Sequence, residues 1–269
     1  DIEAARRTPV QAIVDGSNAN TANLALGYAE AVAQGYNLQL SLRQLRGRGL
    51  PAPAPPVEPR PRVWYNADME SRNFIIPGLI VVIMSVLAAL LTSLTVAREW
   101  ETGTMEQLIS TPVQPVELVI GKFTPYFVIG MVDVGLAVVM GQFVFRVPLR
   151  GSVGLVLAMA SIFLVGALSV GLLISILTKS QLLANQLSMT ITYLPAIMLS
   201  GFAFAIRNMP EPIQWLTYLF PARYFVAIIK TIYMRGLGIA YFAVEVVLLS
   251  GFGVLVMALA VAKFRKKLG

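Results

Sequence analysis

The sequence predicts an all-α polytopic membrane domain preceded by a small polar α/β domain, and three observations carry that prediction. Apolar residues make up 57% of the chain and charged residues 13%, with a mean hydropathy of +0.72, against roughly 45–50% apolar and about 25% charged in soluble domains. That excess is gathered into long uninterrupted blocks after residue 73, whereas residues 1–72 are polar. The chain also contains no Cys and no His, which removes disulfides, thiolate or imidazole metal sites and every catalytic arrangement built on those side chains.

Within 1–72 the elements follow from local signals. Val10 to Val14 is a short β-leaning run closed by Asp15-Gly16 and the stretch Ser17 to Asn20. From Thr21, a candidate N-cap, Leu24, Tyr28, Ala31 and Val32 recur at helical spacing until Gly35. Asn37 to Leu42 reads as a second strand and Arg62 to Tyr65 as a third. Between them, 47–61 carries Pro51, Pro53, Pro55, Pro56, Pro59 and Pro61 and is expected to be an extended linker, because proline removes a backbone donor and resists the helix.

Spans are predicted at about 74–97, 123–145, 152–178, 182–206 and 237–262. Each block reaches the ~20 residues that a helix needs to cross about 30 Å of hydrocarbon. Residues 212–229 are apolar but interrupted by Pro221 and Arg223, so they read as a re-entrant or interfacial segment. Small residues recur every four positions, at Ser85, Ala89, Ser93 and Ala97 and again at Ala167, Gly171 and Ser175. Such stripes let helices approach closely, either within one subunit or across a dimer seam.

Lys263, Arg265, Lys266 and Lys267 favour a cytoplasmic C-terminus. With five crossings, residues 1–72 then lie outside the cytoplasm. Among the shorter loops the inner side carries Arg98, Lys122 and Lys179, and the outer side Arg146, Arg150, Arg207, Arg223, Lys230 and Arg235. The formal charge of +7 is scattered among apolar blocks with no basic face interleaved with aromatics, which argues for anionic lipid and against nucleic acid. Asp1 stands first in place of Met, and the true N-terminus is expected upstream.

No catalytic machinery is visible. The pair Gly121-Lys122 is followed by Phe123 and lacks the upstream Gly of a P-loop. No G-x-S-x-G or His-based metal motif is present, nor a pair of catalytic carboxylates on a common polar loop. Two carboxylates, Asp133 and Glu245, fall inside predicted spans, where ionisable residues are costly and commonly functional. Met84, Met189, Tyr193, Met198 and Phe202 are candidates for an adaptable apolar lining.

The most informative polar stretch is REWETGTMEQLISTPVQPVELVIGK, Arg98 to Lys122. Glu99, Glu101 and Glu106 stand near Arg98 on a short segment that Thr111-Pro112 should stop, and Pro115 suits the first position of a new helix. A rigid elbow of this kind is either a docking surface or a solvated interfacial loop. It closely resembles the coupling segment of type-2 ABC exporter permeases, matching at Arg98, Glu99, Glu101, Gly103, Thr104, Met105, Glu106, Gln107, Leu108, Thr111, Pro112, Glu117, Leu118, Gly121, Lys122, Pro125 and Tyr126. The stretch from Leu194 is similar to that family's fifth span and outer hairpin at Pro195, Ser200, Gly201, Phe202, Asn208, Met209, Pro210, Trp215, Pro221 and Tyr224. Those from Val14 and Val63 resemble the extracytoplasmic domain of its drug-efflux branch. Ala67, Ala205 and Lys230 depart from the family's usual Pro, Pro and Arg, which puts local turn geometry in question.

The resemblance implies six spans, five present here, with the first preceding Asp1. It implies a permease of the inner membrane with no ATPase site of its own, ATP and Mg being bound by a cytoplasmic ABC ATP-binding subunit. A second permease subunit, as homo- or heterodimer, and a periplasmic adaptor are the other expected partners. The expected activity is efflux of apolar or amphipathic drugs or lipids by alternating access. On this reading Arg98, Glu99, Glu101, Gly103, Thr104, Glu106, Thr111 and Pro112 form the ATPase-coupling loop, and Met84, Asp133, Tyr193, Pro195, Phe202 and Glu245 are candidates for the substrate path. An ATP-independent channel, a proton-coupled carrier and a membrane scaffold for envelope proteins are the rival readings.

Overall fold

A computed structural model describes residues 8–15, 17, 19–48, 57–64 and 70–264. One unit ends at Phe74 and the other begins at Ile75. In the first, β1 (Thr8–Asp15) and β2 (Val57–Trp64) pair in parallel, Val10 opposite Pro59 and Ala12 opposite Pro61, around the crossover helix α1 (Ala19–Arg48). Asp15 Oδ1 accepts the Ser17 amide at 2.9 Å, closing the turn that leads to α1.

Two expectations are corrected here. Asn37–Leu42 is helical, inside α1: the alternating leucines mimic a strand, but the intervening Gln39 and Ser41 tolerate a helix and no Gly or Pro follows Gly35 until Gly47. The proline-rich linker is also shorter than 47–61, since α1 runs to Arg48 and β2 starts at Val57. Pro59 and Pro61 are two apart and so direct their missing donors to the same edge, which a two-stranded sheet leaves unpaired. Pro51, Pro53, Pro55, Pro56, Ala67 and Arg265–Lys267 lie outside the described residues.

In α1, Ala22 is buried, whereas Leu24, Tyr28 and Val32 are exposed. The apolar stripe read from the sequence is therefore the helix's outward face.

The second unit is helical. Among the described residues four helices are long and apolar enough to cross a membrane: α2 (Ser71–Glu101), α4 (Pro115–Phe143), α5 (Val153–Thr178) and α10 (Ala243–Lys263). Between α2 and α4 lies α3 (Thr104–Ser110). After α5 come α6 (Gln181–Ser188), a π-helical turn at Met189–Tyr193 and α7 (Leu194–Met198). Then follow α8 (Glu211–Thr217) and α9 (Pro221–Lys230), the latter extended by a π turn, Thr231–Arg235.

The predicted span 182–206 is thus interrupted and ends as a helix at Met198. Pro195 has no N–H for the Ile191 carbonyl, and the backbone widens just before it. Gly201, at φ +80°, then turns the chain away. From Gln181 to Met198 the helical path still runs about 25 Å. The last span begins at Ala243 instead of 237, because Gly236 takes φ +64° and Ile239–Tyr241 forms a single 3₁₀ turn. Glu245 consequently sits in the first turn of α10, where the helix dipole favours a carboxylate, and not deep within the span.

The core is organised by α5. Both small-residue stripes are buried, and they bring α2 and α5 together. Thr92 Oγ1 lies 2.8 Å from the Ala88 carbonyl of its own helix and 2.9 Å from the Leu168 carbonyl of α5. Ser175 Oγ accepts from the amides of Val96 and Ala97 at 2.9 and 2.8 Å. A Cβ on Gly171 would stand 2.5 Å from the Ala89 carbonyl oxygen, so only glycine permits this approach. On another side of α5, Gly166 meets Gly253 of α10, 3.6 Å from where its Cβ would be. The stripes are therefore packing seams within one subunit. Phe163 of α5 stacks on Phe225 of α9 with ring centroids 4.4 Å apart, tying the short helices to the bundle.

Candidate functional site

The sequence places its polar chemistry in the elbow, and the structure builds that elbow from the ends of the spans. α2 continues past its apolar block to Glu101, and Gly103 at φ +75° reverses the chain into α3. No neighbour crowds Gly103, so its requirement is for backbone conformation alone. The α3 helix stops at Ser110, where Thr111 takes extended backbone and Pro112 follows. α4 then starts with Pro115 at its first position and a reciprocal capping box between Gln114 and Glu117, whose Oε2 accepts the Gln114 amide at 2.8 Å.

A local apolar cluster holds the elbow down. Met105 is 1% exposed and packs with Val96, Val119, Leu172, Ile176 and Ala260, joining α3 to the ends of α2, α4, α5 and α10. Leu108, one turn on, packs against the same cluster, while Glu106, Gln107 and Ser110 face outward. The helix is therefore anchored along one side and displays polar groups along the other.

Three further groups of contacts fix its geometry. Lys122 Nζ donates to Glu99 Oε1 at 2.9 Å, and Glu99 Oε2 accepts from the Thr104 hydroxyl. Glu101 receives the backbone amide of Gln181 at 2.8 Å and its side-chain amide at 2.6 Å, so both carboxylate oxygens secure the start of α6. Lys179, left-handed at φ 53° between α5 and α6, lays its ammonium 4.3 Å from the centre of the Trp100 ring.

The eight loop residues thus divide. Glu99, Glu101, Gly103 and Thr104 shape the elbow and join it to α4 and α6. Arg98, Glu106, Thr111 and Pro112 are exposed. Sequence reasoning missed Lys122, Gln181, Lys179 and Trp100 as the elbow's internal partners. The contacts of Gln181 and Lys179 span about 80 residues, and no periodic pattern encodes them.

The six candidate path residues do not line a common cavity. Met84 is enclosed in the main core at 2% exposure. Phe202 packs its ring against Gly78 of α2. Tyr193 is exposed on the π turn. Pro195 lines an apolar cavity of about 180 Å³ shared with Ser85, Phe163, Thr192 and Phe252. Glu245 lines a different cavity, of about 460 Å³, at the start of α10. Asp133 is half-buried on α4, and among the described residues no hydrogen bond or ion pair reaches its carboxylate.

The chain is similar to known transporter proteins along nearly its whole length. The model of the ABC-2 family transporter protein matches residues 1–262. The chain is 40% identical over 260 residues to the probable multidrug ABC transporter permease YbhS of Escherichia coli, covering 97% of this chain and 68% of that one. It is 32% identical over 234 residues to the probable multidrug ABC transporter permease YbhR of the same organism, covering 87% and 61%. It is 27% identical over 274 residues to the inner membrane transport permease YhhJ, covering 100% and 71%. The chain thus spans roughly two thirds of the length of the relatives it matches.

Proposed function

We propose, from the premise that this chain belongs to the ABC-2 family of transporter proteins, that it is the membrane-spanning permease part of an ATP-driven exporter. In this reading a cytoplasmic ABC ATP-binding subunit binds ATP and Mg and hydrolyses the nucleotide, and the permease converts its closure into movement of the spans. The observation that carries the reading is the elbow. Its buried side reaches the ends of four long helices through Met105, and its exposed side offers Glu106, Gln107 and Ser110 to a partner. A load applied to α3 reaches α2, α4, α5 and α10 through packed side chains, and reaches α6 through the Glu101–Gln181 bonds.

The topology that suits this role puts Ser110 and Lys179 in the cytoplasm and Asn208 and residues 1–72 outside it, in the bacterial inner membrane. The interrupted path Gln181–Met198 is then a fifth crossing, and α8–α9 is the outer re-entrant hairpin. The exposed apolar face of α4, with Val128, Val132, Leu136 and Phe143, meets lipid or a second permease subunit. YbhS and YbhR are both relatives, which makes a heterodimer as reasonable as a homodimer. The cargo class is apolar or amphipathic, and a periplasmic adaptor is the further partner for the outer unit. The carrier alternative loses ground with Glu245 at a helix start.

The test is charge reversal at Glu106 in the assembled transporter. Glu106→Arg leaves the chain folded and membrane-inserted while cutting cargo-stimulated ATP hydrolysis. Full coupling in that variant would mean that the exposed side of α3 is not the contact. Because the chain lacks Cys, single Cys substitutions at Ser110 and Asn208 report sidedness with an impermeant thiol reagent in intact cells. Labelling at 110 and not at 208 would invert the topology.

A further inference from the structure

The cavity at the start of α10 is set apart by its chemistry. It lies between the turn at Ser200–Ile206, α9 and the first turns of α10, and its wall brings Arg223, Lys230 and Glu245 together beside Val244 and Leu248. Its volume of about 460 Å³ falls within the roughly 300–1,000 Å³ of small-molecule sites.

The two cations are held in place before any ligand arrives. Lys230 Nζ donates to the Gly201 carbonyl at 2.9 Å. Arg223 donates through Nη1 to the Gln214 carbonyl at 3.1 Å and to the Thr217 hydroxyl, and its guanidinium lies 3.6 Å from the centre of the Tyr218 ring. Tyr224 Oη in turn donates to the Tyr218 carbonyl at 2.7 Å, fixing that ring's backbone. Both Arg223 bonds are made through Nη1, which leaves its other guanidinium edge for a ligand. Glu245, in the first turn of α10, supplies a carboxylate on the same wall, and among the described residues no hydrogen bond or ion pair reaches it.

The surroundings mark the level of the bilayer. Trp215 is 75% exposed on α8 and Tyr241 71% exposed just before α10. Exposed Trp and Tyr at a span's end are the pattern of the membrane–water interface, where lipid headgroups lie.

We propose that this cavity binds the headgroup of a zwitterionic phospholipid, with Lys230 and Arg223 on the phosphate, Glu245 on the primary ammonium, and the acyl chains lying along the exposed apolar face that Val244 and Leu248 begin. The pre-positioned cations spare the ordering cost that flexible surface lysines would incur. The carboxylate is what distinguishes this site from a general basic patch for acidic lipid. The inference does not depend on what energises transport.

The experiment is native mass spectrometry of the intact protein in detergent, titrated with lyso-phosphatidylethanolamine or lyso-phosphatidylglycerol. The wild type is expected to bind the ethanolamine lipid about tenfold more tightly. Lys230→Met should weaken both lipids by about tenfold or more, the worth of one charge-assisted hydrogen bond, and Lys230→Arg should restore them. Glu245→Gln should abolish the preference, leaving the glycerol lipid bound at least as well. Equal affinity of the wild type for the two lipids, or a preference that survives Glu245→Gln, would overturn the proposal. If Lys230→Met does not fold, Glu245→Gln and Lys230→Arg still decide it.

Discussion

α4 and α5 are long apolar helices of 29 and 26 residues, and hydropathy alone treats them alike. The structure uses them in opposite ways. α5 carries Ala167, Gly171 and Ser175 on one side and Gly166 on another, and it packs against both α2 and α10 through them. α4 buries only Val119, Val134, Val138 and Gly141 and turns Val128, Val132, Leu136 and Val139 outward. The lesson is that composition places a span in a bilayer, whereas the position of its small residues decides which side meets another helix.

The sharpest way to break that comparison is to add the same side chain to a glycine in each helix. Gly171→Leu drives its Cβ into the Ala89 carbonyl, 2.5 Å away, with backbone on the far side that cannot yield. We expect a loss of about 3 kcal/mol, read as aggregation or failed extraction by fluorescence-detected size exclusion. Gly135→Leu in α4, which meets no atom within 4 Å, should leave the elution profile unchanged. Equal damage from both would mean that α4 is packed as tightly as α5 in the membrane.

The second comparison lies within the elbow, between carboxylates that are engaged and one that is not. If α3 is the contact for the ATP-binding subunit, Glu106→Arg should lower cargo-stimulated ATP hydrolysis about tenfold or more, since like charges brought together at an interface cost several kcal/mol. Glu101→Gln keeps the outer face intact but weakens the hold on Gln181. It should leave assembly with the ATP-binding subunit unchanged while reducing transport per ATP hydrolysed. Should Glu101→Gln lose assembly as well, the Glu101 carboxylate serves the partner in addition to α6.

Much of this was legible in the sequence. Pro115, the stop at Thr111-Pro112 and the close-packing stripes all act over a few residues, where local rules suffice. What escaped was decided at longer range. The Asn37–Leu42 strand failed because alternating leucines suit either period. The far end of the span 182–206 was misplaced because apolarity carries on through Gly201 after the backbone has turned. The Glu101–Gln181 and Trp100–Lys179 contacts join loops separated by two spans, and only the packing of α2 on α5 brings those loops together.

A smaller effect is expected at Gly103, where the left-handed backbone at φ +75° costs a Cβ-bearing residue about 1 kcal/mol. Gly103→Ala should lower the midpoint of thermal unfolding slightly, and Gly103→Asn less, because Asn tolerates that region better. A difference in the opposite order would place the cost in crowding, which the open space around this residue argues against.

The smallest effect on the chain alone is expected at Asp133. It is half-buried ten residues before the end of α4 and has no polar partner among the described residues, on the helix that the bundle covers least. A carboxylate at mid-span costs roughly 2.5–3.5 kcal/mol on insertion scales, and among the described residues no hydrogen bond offsets it. Replacing it should therefore not destabilise the chain itself. Asp133→Asn and Asp133→Leu are both expected to insert and elute normally as single chains, with Leu at least as stable as the wild type. Their difference should appear only in the assembled transporter. If a second subunit or a water-filled cavity supplies the missing partner, Asn keeps most efflux because it preserves shape and hydrogen bonding, and Leu loses it. Loss of the single chain's fold in Asp133→Leu would mean that the carboxylate has a partner within the chain after all, and the outward assignment of α4 would fall with it.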